Sequence, residues 1–279
     1  MKNFGLKLLN SIYFHSKASL LSPLPLRIYW TQILMKKLKL GSFKQRLDID
    51  AINYPGYAYG MYSAALQAKA LGLKKITAIE FGVASGNGLI AIENHATEIF
   101  NMIGIEFDIY GFDTGQGLPK PTDYKDQSYF WNEKKFVMDQ IKLEKSLTIS
   151  KLVIGDIKFT LNNFTKNILN FPIGFIAFDL DYYSSTTTSF DIFKIDDKFL
   201  LPRVECYMDD VGSTELLVAS EETGVLKAIN DFNNESSETK KILKKKGLSQ
   251  FRTIPSFWNE KIYVFHSFKH LKYNQSLNA

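Results

Sequence analysis

Four carboxylates stand in two short motifs, Asp179 and Asp181 in FDLDYYSST and Asp209 and Asp210 in YMDD. Each motif ends a run of apolar residues that reads as a buried strand. Asp179 and Asp181 are two residues apart, so on an extended strand end they point to the same side. Carboxylates gathered from two strand ends repel one another unless a cation sits among them, and oxygen-only ligands suit Mg2+ or another hard divalent ion. Singly, each acid would serve equally well as a turn or helix-capping residue. It is the pair of motifs that points to a metal or catalytic site.

A second group of residues suits an anionic or nucleotide-like ligand. In IEFGVASGNG, Glu80, Gly82, Gly86 and Gly88 follow a strand and open a helix, where glycines allow close approach and helix-start N–H groups favour an anion. The spacing E-x-G-x-x-x-G-x-G departs from the G-x-G-x-x-G of dinucleotide sites, so a nicotinamide cofactor fits poorly. Asp113, in YGFDTGQGLP, is placed to accept the hydroxyls of a ribose, as an acid after the second strand does in nucleotide-binding α/β folds. Asp156, in VIGDI, either faces an adenine amino group or caps the next helix.

The elements that must position these residues alternate along the chain. Strand candidates cover 76–82, 107–113, 150–156, 173–181, 204–210 and 261–268, with helical material of ten or more residues between them. Their near-continuous apolar character predicts an α/β fold with a mostly parallel central sheet and helices on both faces. YPGYAYGMYSAALQAKALGLKK reads as a turn and then a helix that stops at Gly72. The acids and glycines follow the C-terminal ends of the strand candidates, which is the edge where open α/β sheets bind ligands.

The chain of 279 residues, 45% hydrophobic and 23% charged, has the balance of a globular protein. Its formal charge of +5 is unevenly placed: before Asp48 there are nine Lys or Arg and no acid. Lys36, Lys37, Lys39, Lys44 and Arg46, interleaved with leucines, read as an amphipathic basic arm, a solvated helical face that could also make weak contact with an anionic membrane surface. Residues 1–53 are accordingly expected as an N-terminal basic helical extension, and 54–279 as the main domain. KKILKKKG at 240–247 is expected to be an exposed helix end. His266 and His270 are four apart but lie at and beyond a strand candidate, so they are not expected to be metal ligands. The single cysteine, Cys206, is read as a buried small hydrophobe, and a lone cysteine gives no sign of an oxidising compartment. With neither a signal-peptide core nor a run of about 20 apolar residues, the expectation is a cytoplasmic protein without a transmembrane segment. Nothing in the charge pattern calls for nucleic acid, and self-association is left open.

IEFGVASGNG, GFDTGQGLP, FDLDYYSST and MDD, in this order, resemble the class I S-adenosylmethionine-dependent methyltransferases, and specifically the macrocin O-methyltransferase (TylF-like) family of sugar O-methyltransferases. The resemblance spans roughly residues 54–270 and implies a Rossmann-like fold. By position it implies that Glu80, Gly82, Gly86 and Gly88 line the methionine and ribose part of S-adenosylmethionine and that Asp113 meets the ribose hydroxyls. It implies Asp179, Asp209 and Asp210 as ligands of Mg2+, Asp181 as general base, and a small sugar-like acceptor. The chain departs from the family in having Gly88 where a small residue such as Ser is common, and LLPRVEC where a glycine pair usually precedes the acidic strand end. The competing readings are a non-methylating nucleotide- or dinucleotide-binding enzyme and a non-catalytic cofactor-binding scaffold.

Overall fold

The computed structural model describes residues 24–236 and 238–277; residues 1–23, the first part of the expected basic extension, lie outside the described residues. The described chain opens with helices α1 (Leu24–Leu38), α2 (Phe43–Asp48) and α3 (Pro55–Ala70). Strand β1 (Lys75–Phe81) leads through a glycine turn into α4 (Asn87–Ile103), and β2 (Glu106–Asp113) leads through a long insertion into α5 (Gln140–Ser146). Then follow β3 (Lys151–Ile154), α6 (Ile157–Asn167), β4 (Ile173–Phe178), α7 (Tyr183–Ser189) and β5 (Leu200–Met208). The chain finishes with α8 (Gly224–Glu235), β6 (Lys240–Lys244), α9 (Leu248–Phe251) and β7 (Ile262–Ser267).

The seven strands form one sheet in the order β3-β2-β1-β4-β5-β7-β6. The first five are parallel, and β7 runs antiparallel between β5 and β6. Strand periodicity divides the core in two. Ile76, Ala78, Phe107, Ile109, Phe175 and Ala177 face α3 and α4, whereas Ile79, Phe81, Tyr110, Phe112, Ile176 and Phe178 face α6 and α8. Both faces are therefore covered, which is why these strands read as unbroken apolar runs. Phe178 sits among Phe81, Phe190 and Phe193, with ring centroids 5.2–6.1 Å away, and burying each such ring contributes about 1.5–3 kcal/mol.

Two sequence expectations give way here. KKILKKKG is not a helix end: Lys240–Lys244 is the edge strand β6, with Ile242 buried and the lysines around it. Its free edge is covered from α8, where Asn233 accepts a hydrogen bond from the Ile242 amide and donates one to the Ile242 carbonyl, each at 2.8 Å. Lysine and a covered edge are two ways of preventing edge-to-edge pairing. Nor is the basic cluster solvated throughout. Arg46 is buried, pairs with Glu98 and donates to the carbonyls of Lys39 and Gly41, while its neighbours Phe43 and Leu47 join the core against α3 and α4. An arginine in this setting fastens the arm to the domain.

Parallel register sets the ligand edge. Phe81 is level with Phe112 and Phe178, Phe178 with Met208, and Asp113 with Ile154. Gly82, Asp113, Ile154, Asp179 and Asp209 thus stand in one row. The strand order reverses between β1 and β4, so the row crosses the topological switch point where a crevice forms.

Candidate active site

The turn after β1 requires glycine. Gly82 has φ +85°, and a Cβ there would lie 1.7 Å from the carbonyl oxygen of Asp179. Gly86 and Gly88 make room for the chain itself: a Cβ at Gly86 would meet Leu143 of α5 at 2.0 Å, and one at Gly88 the Glu80 carboxyl at 1.9 Å. Glu80, Gly86 and Gly88 do not line the cavity described below. Glu80 is buried behind the turn, where Tyr57 donates to its Oε1 at 3.0 Å and its Oε2 has no hydrogen-bond partner. Burial pushes its carboxyl up to about 8, against the lowering effect of the tyrosine hydrogen bond.

Asp113 braces the same turn from the end of β2. Its Oδ2 accepts the amides of Val83 and Ala84, each at 2.9 Å, and its Oδ1 accepts that of Gly115 at 2.7 Å. Three of about four lone-pair positions are thereby filled, so one remains for a ligand hydroxyl. Asp156 caps α6, accepting the Lys158 amide at 2.9 Å, and also faces the cavity.

The acids of β4 and β5 do converge, though by a route other than strand alternation. β4 ends at Phe178, and Asp181 takes the left-handed conformation, φ +60°, inside a tight turn in which the Tyr182 amide donates to the Leu180 carbonyl. Such backbone costs on the order of 1–3 kcal/mol in a non-glycine residue and is concentrated at functional sites. The turn brings carboxylate oxygens of Asp179, Asp181 and Asp210 within 4.8 Å of one another. Asp209 lines the same cavity but is not in that group: its Oδ1 accepts from Lys261 Nζ at 2.7 Å and from the Tyr207 hydroxyl at 3.1 Å.

Burial, and then repulsion from Asp209 and Asp210, hold the Asp179 carboxyl well above the usual range. Asp181 is pushed up to about 8 by burial and by Asp210 and Asp209, against the pull of Lys135. Asp210 is pushed up to about 7 by burial and Asp209, against Lys261. Asp210 Oδ2 is buried without a hydrogen-bond partner. Three crowded carboxyls, one with an unsatisfied oxygen, are a donor set that fits a hard divalent ion.

These groups line a cavity of about 460 Å³. Its floor carries Gly82, Asp113, Asp156, Asp179, Asp181, Asp209 and Asp210, and Phe81, Phe112 and Ile157 supply apolar walls. The size and the mixture of apolar wall with a few polar groups suit a nucleoside-sized ligand. The roof is the insertion 114–139, which contributes Thr114, Leu118, Lys120, Trp131 and Phe136. Backbone pairing between Leu118 and Lys134–Lys135 folds this insertion back on itself. Its anchor is Asp126, fully buried, which accepts the Thr122 amide and hydroxyl and, at 2.8 Å, the Ser184 amide at the start of α7. The neighbouring Gln127 donates to the carbonyl of Val218 and the hydroxyl of Thr223. Sequence reading misses Asp126, Gln127, Trp131 and Lys261; for Asp126, Gln127 and Lys261 no local spacing marks them, because they have partners 52 to 96 residues away along the chain.

No protein-family profile matches the chain, and no curated protein matches it. Solved structures do. The calicheamicin methyltransferase CalS11 is similar over 94% of this chain and 92% of its own, at 17% identity and a TM-score of 0.50. The apo form of CalS11, described as a TDP-rhamnose 3'-O-methyltransferase, aligns over 94% of both chains at 17% identity with a TM-score of 0.44. The plantazolicin methyltransferase BpumL, solved with S-adenosylhomocysteine, aligns over 94% of this chain and 97% of its own at 10% identity and a TM-score of 0.38. The fold of this chain is the Rossmann-like fold of class I methyltransferases.

Proposed function

We propose that the chain is an S-adenosylmethionine-dependent O-methyltransferase acting on a hydroxyl of a small, sugar-like acceptor. The observation that carries this reading is the convergence of Asp179, Asp181 and Asp210 at one end of a cavity whose floor continues past the glycine turn to Asp113 and Asp156. The motif resemblance to the TylF-like family supports the same assignment, and the sugar class of acceptor follows that resemblance. CalS11, similar in fold, is described as methylating a sugar.

In this reading Asp113 holds the turn after β1 and offers its remaining acceptor position to a ribose hydroxyl, while Asp156 stands beside the base. The apolar walls Phe81, Phe112 and Ile157 exclude water from the nucleoside. S-adenosylmethionine supplies an electrophilic methyl group, and Mg2+ held by Asp179 and Asp210, with Asp181 beside them, would supply positive charge that acidifies an acceptor hydroxyl. Asp181 is assigned to take the proton at its carboxylate, because its left-handed turn presents it at the cavity floor. Most of the acceleration would come from holding oxygen and methyl carbon in line.

Calorimetry with S-adenosylmethionine and S-adenosylhomocysteine, in Mg2+ and in EDTA, tests this directly. Micromolar binding is expected, followed by methyl transfer to hydroxylated sugars that Asp181→Asn lowers by at least about a hundredfold. Absence of binding to either compound under both conditions would overturn the assignment.

A further inference from the structure

We propose that Lys261 is a resident cation of the acidic site, which holds Asp209 out of the divalent ion's ligand set; the inference rests on reading that site as ion-binding. β5 ends at Met208, and Asp209 and Asp210 follow it in a turn. Asp210 joins Asp179 and Asp181. Asp209 is held by two donors on the same oxygen, the Lys261 ammonium at 2.7 Å and the Tyr207 hydroxyl at 3.1 Å.

The pair is half-buried, the Asp209 side chain being 35% and that of Lys261 13% exposed. Its ammonium lies 5.2 Å from the ring centroid of Phe257 and 5.7 Å from that of Tyr207, within the range of attraction between a cation and an aromatic face. Lys261 closes the short 3-10 helix Phe257–Lys261, whose first turn is fixed by a reciprocal cap between Ser256 and Asn259. That helix is pressed against the chain just past the acids, for a Cβ at Gly212 would meet the Phe257 ring at 2.2 Å. The ammonium is thus placed by the fold.

The consequence is a site with one carboxylate fewer than the sequence counts. A hard ion with fewer protein oxygens keeps more positions for water or substrate hydroxyls and exchanges more readily. Lys261 therefore acts as a positioning residue, setting both how many protein ligands the ion meets and how strongly the site attracts it.

Mn2+ binding to the full chain, followed by the loss of its free electron-spin-resonance signal, reads this without turnover. Lys261→Met should tighten Mn2+ by about three- to tenfold, because a nearby positive charge is gone and Asp209 is released. Lys261→Arg should bind as the wild type does. The double variant Asp209→Asn/Lys261→Met, which leaves the local charge unchanged, should stay within about twofold of wild type. A native circular-dichroism spectrum and a cooperative thermal melt in all three report that the fold is intact. A loss of more than about tenfold in the double variant would make Asp209 a ligand and overturn the proposal. So would unchanged or weaker binding by Lys261→Met. A wild type that binds S-adenosylhomocysteine but no Mn2+ would instead remove the ion-binding reading itself, and this inference with it.

Discussion

The wall that carries Lys261 hangs on a buried ion pair, and removing the charge from one partner should be costly. Asp50 accepts from Arg252 Nη2, Ser256 Oγ and Trp258 Nε1. The two side chains are 11% and 5% exposed. Asp50 sits at φ +56°, where asparagine is at ease but alanine is not, so Asp50→Asn removes the charge without straining the backbone. Stranding a buried charge costs about 3–5 kcal/mol. Arg252 would keep the Leu47 carbonyl and the face of Trp258, 4.5 Å from its guanidinium, which argues for the lower end, about 3 kcal/mol. At about 2–4 °C per kcal/mol for a domain of this order of size, Tm should fall by about 6–12 °C in a thermal melt. The double variant Asp50→Asn/Arg252→Met strands no charge and should melt above Asp50→Asn alone. A single-variant shift below about 2 °C, or a double variant whose loss equals the sum of the two singles, would refute the argument.

Three further outcomes are expected. The Glu80 carboxyl, pushed up to about 8 by burial, keeps a proton in the fold that the unfolded chain releases above about 4.5. Stability attributable to Glu80 therefore falls as pH rises through that window, by at most about 1.4 kcal/mol per pH unit, and levels off above it. Glu80→Gln should gain on the wild type in melts between pH 5 and 8, and a Tm difference that does not vary with pH would contradict this. Asp126→Ala, which deprives three donors of a buried acceptor, should cost about 3 kcal/mol and weaken S-adenosylhomocysteine binding by loosening the roof; calorimetry that finds wild-type affinity would detach Asp126 from the site. Finally, burial and mutual repulsion raise Asp179, Asp181 and Asp210, so a divalent ion must displace protons from them. Mn2+ affinity should rise from pH 6 to 8, with proton release seen as a heat that depends on the buffer; a flat profile would count against Asp179 and Asp210 as its ligands.

The parts of this molecule legible in its sequence are those that depend on neighbours along the chain. Two-face burial gives the central strands their apolar runs, and parallel register then forces whatever follows each strand onto one edge. Gly82, Asp113, Asp156 and the four acids are accordingly assigned to that edge by the sequence alone. β6 was illegible because a single side chain, Ile242, is buried between lysines, and the group that covers its free edge, Asn233, belongs to another element. The glycine motif was legible as a turn, but not as to purpose: Gly82 clears the Asp179 carbonyl, whereas Gly86 and Gly88 clear Leu143 and Glu80.

The division of labour among the acids lies wholly beyond spacing. Asp179 and Asp181 meet because of a left-handed turn, not because an extended strand alternates, and Asp209 parts from Asp210 because Lys261, 52 residues later, is held beside it. The 3-10 helix bearing that lysine is in turn fixed by Asp50, near the other end of the described chain. Charge in this site is therefore set by contacts of long sequence separation, which a fold can adjust without touching a motif. Two chains with the same D-x-D and DD could differ in ion affinity through the residue at position 261 alone, so a comparison of Lys261→Met with the wild type measures how far motif and function are separable.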